Sequence, residues 1–247
     1  MYNDDCLNAG LAELGITLTD RMREQLHTYY EMLIETNRVM NLTAITEYED
    51  VCVKHFLDSL CLVKALPELR ENADLSLIDV GTGAGFPGIP LKIVFPELRV
   101  TLLDSLQKRV LFLQKVVAEC GLSDVLCVHG RAEEYSRKPE FREQYDICVS
   151  RAVTRMASLT ELCLPYVNVG GKFVPYKAAE FDEELAEAKS AIATLGGAVE
   201  SKQTYTVPQS DYGRTLLVVR KKKPTDKRYP RGGGKPMKQP IVSRETL

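Results

Sequence analysis

The sequence predicts an α/β protein built on a largely parallel sheet, and three observations carry that reading. From residue 75 onward, short apolar runs alternate with helix-length amphipathic segments. A glycine cluster follows directly on the first apolar run. The last two β-rich segments succeed each other without a helix between them, which predicts an antiparallel closing pair. A chain of 247 residues, 45% hydrophobic and 27% charged, suits one such domain with additions.

The first seventy residues read as helical. Between Asp20 and Val39, Met22, Leu26, Tyr29, Tyr30, Leu33 and Ile34 recur near a 3.6-residue period, with Thr19 placed to cap the start. Thr46-x-x-Glu49 has the form of a capping box ahead of Val51, Val53, Phe56, Leu57 and Leu60, and Pro67 closes that pattern. The sheet region is then expected as strand 75–80, a helix from near Pro87, strand 100–103, helix 106–120, strand 125–129, a short helix 132–135 and strand 145–150. Helix 156–164, a turn at Gly170-Gly171, strand 172–176, helix 181–195 and β segments 199–207 and 215–220 complete it. The organisation expected is a helical extension (1–70), an α/β domain (71–220) and a basic tail (221–247).

Charge and cysteine usage narrow the class. Residues 220–247 hold ten of the 32 Lys+Arg and only two acids, Asp226 and Glu245, whereas the rest holds 22 basic and 32 acidic side chains. Such a split points to a polyanionic partner met by one end of the chain. Seven cysteines without a CxxC pair read as reduced thiols and leave a zinc site without ligands. No charge-free stretch exceeds the twelve residues Val80 to Leu91, so no membrane span is expected. The chain opens without a basic region and an apolar run, and a cytoplasmic location follows as the expectation.

The chemistry centres on Asp79-Val80-Gly81-Thr82-Gly83-Ala84-Gly85, where a strand gives way to a loop and a helix. Glycines there let the chain turn sharply and a ligand approach closely. Gly83-Ala84-Gly85-Phe86-Pro87-Gly88 also fits the dinucleotide pattern GxGxxG, and Asp104, 21 residues after Gly83, suits a ribose in either reading. An NAD(P)-binding oxidoreductase therefore stays open, as does a tight turn with Asp104 as a helix cap. S-adenosylmethionine is favoured by three features: a glycine placed directly after the strand, Asp79 where it could meet a cationic amino group but would repel a pyrophosphate, and the antiparallel end.

The loop Asp79–Gly88 resembles the cofactor loop of the GidB/RsmG family, bacterial methyltransferases of a guanine N7 in 16S ribosomal RNA. Asn41-Leu42-Thr43, His55-Phe56-Leu57-Asp58-Ser59, Ser150-Arg151-Ala152, Lys227-Arg228-Tyr229-Pro230-Arg231 and Lys238-Gln239-Pro240-Ile241 resemble its other motifs, over nearly the whole chain. The resemblance implies a Rossmann-like class I methyltransferase fold with a seven-stranded sheet. It also implies S-adenosylmethionine as cofactor and 16S rRNA, in the small ribosomal subunit or its precursor, as partner. A non-catalytic RNA-binding protein of the same fold is the further alternative, and monomer is the default state.

With the resemblance, Gly81, Gly83, Gly85, Phe86, Asp104, Ser105, Ala132, Glu133 and Arg151 are the expected cofactor set. Asp104 would accept from ribose hydroxyls, and the Ala132 amide would meet the adenine edge. Phe86 packs on the cofactor or in the core; Glu133 binds or complements a helix dipole; Arg151 meets a carboxylate, an RNA phosphate or a surface acid. Arg151, Lys177 and His55 are the catalytic candidates, His55 sharing a helix face with Asp58. Tyr176 is expected to stack on a base. Asn41 is a helix stop or a substrate contact. His27 and His129 are expected to be structural. Lys221, Lys222, Lys223, Lys227, Arg228 and Arg231 are the expected RNA contacts. Strand 145–150 lacks the Asn/Asp-Pro-Pro-aromatic signature of exocyclic-amine methylation, as suits N7, a lone-pair nucleophile with no proton to lose.

Overall fold

The computed structural model describes residues 2–71 and 74–242; Arg244 and Glu245 of the tail lie outside the described residues. The N-terminal extension starts with helix α1 (Asp5–Glu13) and the long α2 (Asp20–Met40). The Thr19 hydroxyl accepts from the Met22 amide and caps α2, while Leu26, Tyr29 and Leu33 form its buried stripe. Each such side chain contributes about 1.5–3 kcal/mol of burial. Helix α3 (Tyr48–Val51) runs into a π-helical stretch (Cys52–Leu57), then α4 (Asp58–Leu60) and α5 (Leu62–Ala65). The expected capping box at Thr46 does not form: Glu47 is the N-cap residue and no side chain caps the helix.

The α/β region follows in order as β1 (Ser76–Val80), α6 (Gly88–Val94), β2 (Arg99–Asp104), α7 (Gln107–Glu119), β3 (Val125–His129), α8 (Ala132–Tyr135) and β4 (Tyr145–Arg151). Then come α9 (Met156–Cys163), β5 (Val167–Ala178), α10 (Asp182–Thr194), β6 (Gly197–Thr206), β7 (Gly213–Lys221) and α11 (Lys235–Lys238). Among the described residues the sheet has seven strands in the order β3-β2-β1-β4-β5-β7-β6, parallel except for β7, which runs antiparallel to both neighbours. The α/β class and the antiparallel end are as expected. Gly170-Gly171 does not make the expected turn: β5 runs through it, with Gly170 at φ +94°.

One face of the sheet carries a core formed with α2, α6, α7 and the other N-terminal helices; the opposite face is covered by α9 and α10. The strand order reverses between β1 and β4, so their carboxyl ends open a crevice for ligands. The extension packs against that same side of the sheet, with α2 on α6 and α7.

Where the sequence predicts a basic tail from residue 221, Lys221 ends β7 and residues 225–231 fold back onto the domain. Arg142 donates to the carbonyls of Tyr229 (3.0 Å) and Thr225 (2.7 Å), and Arg137 donates to that of Arg228 (3.2 Å). Arg231 forms a two-pronged pair with the fully buried Glu161, at 2.9 and 2.6 Å.

Candidate active site

The loop after β1 is built around Asp79. Its Oδ2 accepts from Thr82 Oγ1 (2.7 Å) and the Gly88 amide (2.9 Å), while Oδ1 is buried without a partner. Burial raises the carboxyl to about 6, against the hydrogen bonds from Thr82 and Gly88 that favour the anion. Asp79 is 0% exposed, so it does not meet a ligand amino group directly, contrary to expectation; its carboxylate is turned under the loop. It also occupies the first amide of α6, where a dinucleotide pyrophosphate would need a donor and an electropositive field.

Gly81 has φ +72°, and its amide donates to the Leu103 carbonyl of β2 (2.8 Å). A Cβ there would lie 2.5 Å from Val153 Cγ2. The Gly83 amide donates to Asp104 Oδ2 (2.9 Å), and the space where its Cβ would stand is open. Gly85 serves packing: a Cβ would meet Ile89, Leu113 and the Tyr29 hydroxyl.

Beside this loop lies a cavity of about 410 Å³ lined by Gly81, Asp104, Ser105, Ala132 and Glu133, with Arg109, Arg131, Ala152 and Val153 completing its wall. Asp104 Oδ1 accepts from the Leu106 amide (2.9 Å), and Oδ2 has Arg109 Nη1 at 3.4 Å besides Gly83. Oδ2 is thus occupied twice, and Oδ1 keeps acceptor capacity for a further donor. Tyr166 Oη donates to the Ala132 carbonyl (2.8 Å) and steadies α8. Open glycine backbone, a fixed acid at the end of β2 and a second acid on α8 fit a nucleoside with a hydroxyl pair and a cationic centre. S-adenosylmethionine has that chemistry, and the residues present fit it.

Phe86 and Arg151 stand apart from this wall. Phe86 is buried, with the His55 ring stacked on it at 4.4 Å and the Arg151 guanidinium 5.2 Å from its centroid. Arg151 lines a second cavity of about 410 Å³ together with Lys54, His55, Asp58, Tyr176, Lys177, Tyr212 and Arg214. Ala152, at φ +57°, borders both cavities.

Arg151 donates to Asp58 Oδ2 (2.8 Å) and to the Lys54 carbonyl (3.2 Å), with Nη2 3.3 Å from His55 Nδ1. His55 Nε2 lies 2.9 Å from Thr43 Oγ1. Burial, and then the Arg151 charge, lower the His55 imidazole to about 3. It is neutral at pH 7, with Nε2 bonded to Thr43 and Nδ1 between the Arg151 guanidinium and the Lys54 carbonyl at 3.1 Å. The π-helical stretch carries His55 into this position. Asn41 is the left-handed C-cap of α2 (φ +49°), a helix stop, and Asn37 shapes the next residues by accepting from the Leu42 (2.6 Å) and Thr43 (2.9 Å) amides.

Two expected contacts are placed differently. Lys177 Nζ donates to the Thr154 carbonyl (2.8 Å) and Glu184 (2.6 Å), so it holds the segment after β4 in place. Tyr176 borders the second cavity but is 4% exposed, its hydroxyl donating to the Ser59 carbonyl (2.6 Å). Of the expected RNA contacts, Lys222, Lys223, Lys227 and Arg228 are exposed. Lys221 is fully buried, donating to the Leu164 carbonyl (2.8 Å) and Thr225 Oγ1 (2.7 Å), with Glu143 at 3.1 Å. It cannot meet a phosphate, and Arg231 is committed to Glu161. His27 pairs with Asp4 at 3.0 Å, and His129 lies 3.2 Å from the Ser105 carbonyl.

Sequence reasoning passed over Arg214, Tyr212 and Lys54. The signal for Arg214 was the antiparallel end itself: β7 begins where β5 finishes, with Arg214 opposite Ala178, so its first residues reach the ligand edge.

A family model described as rRNA small subunit methyltransferase G matches residues 22–211. The ribosomal RNA small subunit methyltransferase G of Lachnoclostridium phytofermentans is 53% identical over 99% of this chain and 100% of its own length. That of Alkaliphilus metalliredigens is 52% identical over 95% and 97%. Among solved structures, a SAM dependent methyltransferase from Aquifex aeolicus aligns with a TM-score of 0.51 at 17% identity, over 72% of this chain and 96% of that one. A 16S rRNA (adenine(1408)-N(1))-methyltransferase from Catenulisporales acidiphilia gives 0.51 at 14% identity, over 66% and 92%. These two likenesses concern the fold.

Proposed function

Because the chain belongs to the rRNA small subunit methyltransferase G family, we propose that it methylates N7 of a guanine in the RNA of the small ribosomal subunit. It is an S-adenosylmethionine-dependent rRNA methyltransferase. The finer reading places the guanine in a small-subunit particle or its precursor, with the enzyme acting as a monomer.

The observation that carries the N7 assignment is the second cavity's lack of a free base among the described residues. His55 is neutral and bonded on both ring nitrogens, and Asp58 is paired with Arg151. The other Asp58 oxygen is buried 3.4 Å from Arg214 Nε and is not exposed to the cavity. A nucleophile that had to shed a proton would find no exposed free base there; a purine N7 needs none. The bound cofactor supplies an electrophilic methyl group on a sulfonium sulfur. Glu133 and Asp104 line the cofactor cavity as hydrogen-bond acceptors, and Ala152 borders both cavities. Lys177 holds the segment bearing Val153 and Thr154 against the site. Catalysis on this scaffold is alignment and electrostatic fit. Exposed Lys222, Lys223, Lys227 and Arg228 offer phosphates a basic surface.

The test uses methyl-tritiated S-adenosylmethionine and small-subunit particles from a strain lacking the enzyme, with the modified base located by mass spectrometry. Label in 7-methylguanosine is the expected result. Label on an exocyclic amine overturns the N7 assignment, and binding of NAD without S-adenosylmethionine overturns the whole reading.

A further inference from the structure

Asp58 is 1% exposed and holds one arginine near each carboxylate oxygen. Oδ2 accepts from Arg151 Nη1 at 2.8 Å, while Oδ1 accepts no hydrogen bond and has Arg214 Nε 3.4 Å away. The three side chains come from α4, the end of β4 and the start of β7, and all line the second cavity. Lys54 and Lys177 at the same cavity are matched by Asp50 (2.7 Å) and Glu184 (2.6 Å). One carboxylate for two guanidiniums leaves an unmatched positive charge. Among the described residues, the terminal N–H groups of Arg214, its side chain 35% exposed, have no hydrogen-bond partner.

We infer that this cavity is the site of the target guanosine nucleotide and that Asp58 is the positioning residue that aims Arg151 at the base and Arg214 at its 5′-phosphate. The inference rests on the guanine reading above. Guanine offers an acceptor, O6, on the edge next to N7, where adenine offers an amino donor; a guanidinium fixed there accepts the first and rejects the second. The terminal N–H groups of Arg214 suit a phosphate. Tyr212, 39% exposed at the same cavity with Lys54 Nζ 5.2 Å from its ring, supplies a face for the nucleotide to rest on.

The experiment titrates the full chain, saturated with S-adenosylhomocysteine, with guanosine 5′-monophosphate, adenosine 5′-monophosphate and guanosine, followed by NMR. GMP is expected to perturb the amides around His55, Ala152 and Tyr212 and to bind about tenfold tighter than AMP. Asp58→Asn and Arg214→Gln should each weaken GMP by about tenfold with S-adenosylhomocysteine affinity held within about twofold. Their double variant should be no weaker than the weaker single, because Asp58 acts through the arginines. Should Asp58→Asn fail to fold, Arg214→Gln alone decides: its loss must appear with GMP and vanish with guanosine. Equal GMP and AMP affinities, additive losses, an equal Arg214→Gln loss with guanosine, or GMP perturbing only Gly81 to Asp104 overturn the inference. Failure of the protein to bind S-adenosylhomocysteine at all would instead strike the underlying reading.

Discussion

The Tyr29 hydroxyl of α2 donates a 2.6 Å hydrogen bond to the Ala84 carbonyl inside the glycine loop. Both groups are buried, and burial raises the phenol well above its usual range, so it stays a donor. The N-terminal extension thereby holds the glycine loop from below.

Tyr29→Phe removes that donor and leaves a buried carbonyl unpaired. Stability is expected to fall by about 1–3 kcal/mol, with weaker S-adenosylhomocysteine binding. Denaturant unfolding and calorimetric titration check the two halves; unchanged affinity would show that the loop keeps its shape without the tie.

Gly81→Ala places a methyl 2.5 Å from Val153 Cγ2 on a backbone at φ +72°. Left-handed strain alone costs roughly 1–2 kcal/mol. Displacement of Val153 also reshapes the wall of the cofactor cavity. Cofactor affinity should drop by about tenfold or more in titration, with near-native circular dichroism.

His55, held at about 3, titrates outside the working range. Its NMR ring shifts should stay flat from pH 8 to 5, and it should contribute no ionisation to the rate near pH 6.5. The imidazole is depressed in the fold, so below about 6.5 the unfolded chain takes a proton that the folded chain refuses. Stability is full above that pH and falls as pH drops toward 3. His55→Gln should show a shallower loss of Tm between pH 6.5 and 5; an identical slope would contradict a neutral imidazole.

The basic residues near the C-terminus divide by role. Arg231→Ala strands the buried Glu161 charge and should cost about 3–5 kcal/mol, read by thermal unfolding. Alanine at Lys222, Lys223, Lys227 and Arg228 should leave Tm nearly unchanged. Each lost phosphate contact should lower the salt slope of RNA binding by about 0.7–0.9.

How much of this was legible depended on how local the determinant was. The β1 loop, Asp104 and the order of strands and helices follow from apolar runs and glycines close in sequence. The continuous β5 was misread because Gly170-Gly171 looks like a turn, yet Gly171 lies against Asn168 and the Asp146 backbone, where a side chain has no room. Lys221 and Arg231 read as surface charge because their partners, Glu143 and Glu161, lie 78 and 70 residues upstream. Asp79 carries the right residue type for a ligand contact, and only its burial reveals a loop-building role. The motifs at residues 41–43 and 55–59 gave no hint that Thr43 and His55 bond each other, which requires the bend between α2 and α3.

The pairing of Glu161 with Arg231 has a consequence for biosynthesis. Helix α9 leaves the ribosome some seventy residues before the cation that neutralises it. A truncated product that stops in between carries an uncompensated anion in its interior and lacks the carbonyls that Arg142 grips. A copy that ends before residue 231 is therefore expected to unfold more readily than the full chain.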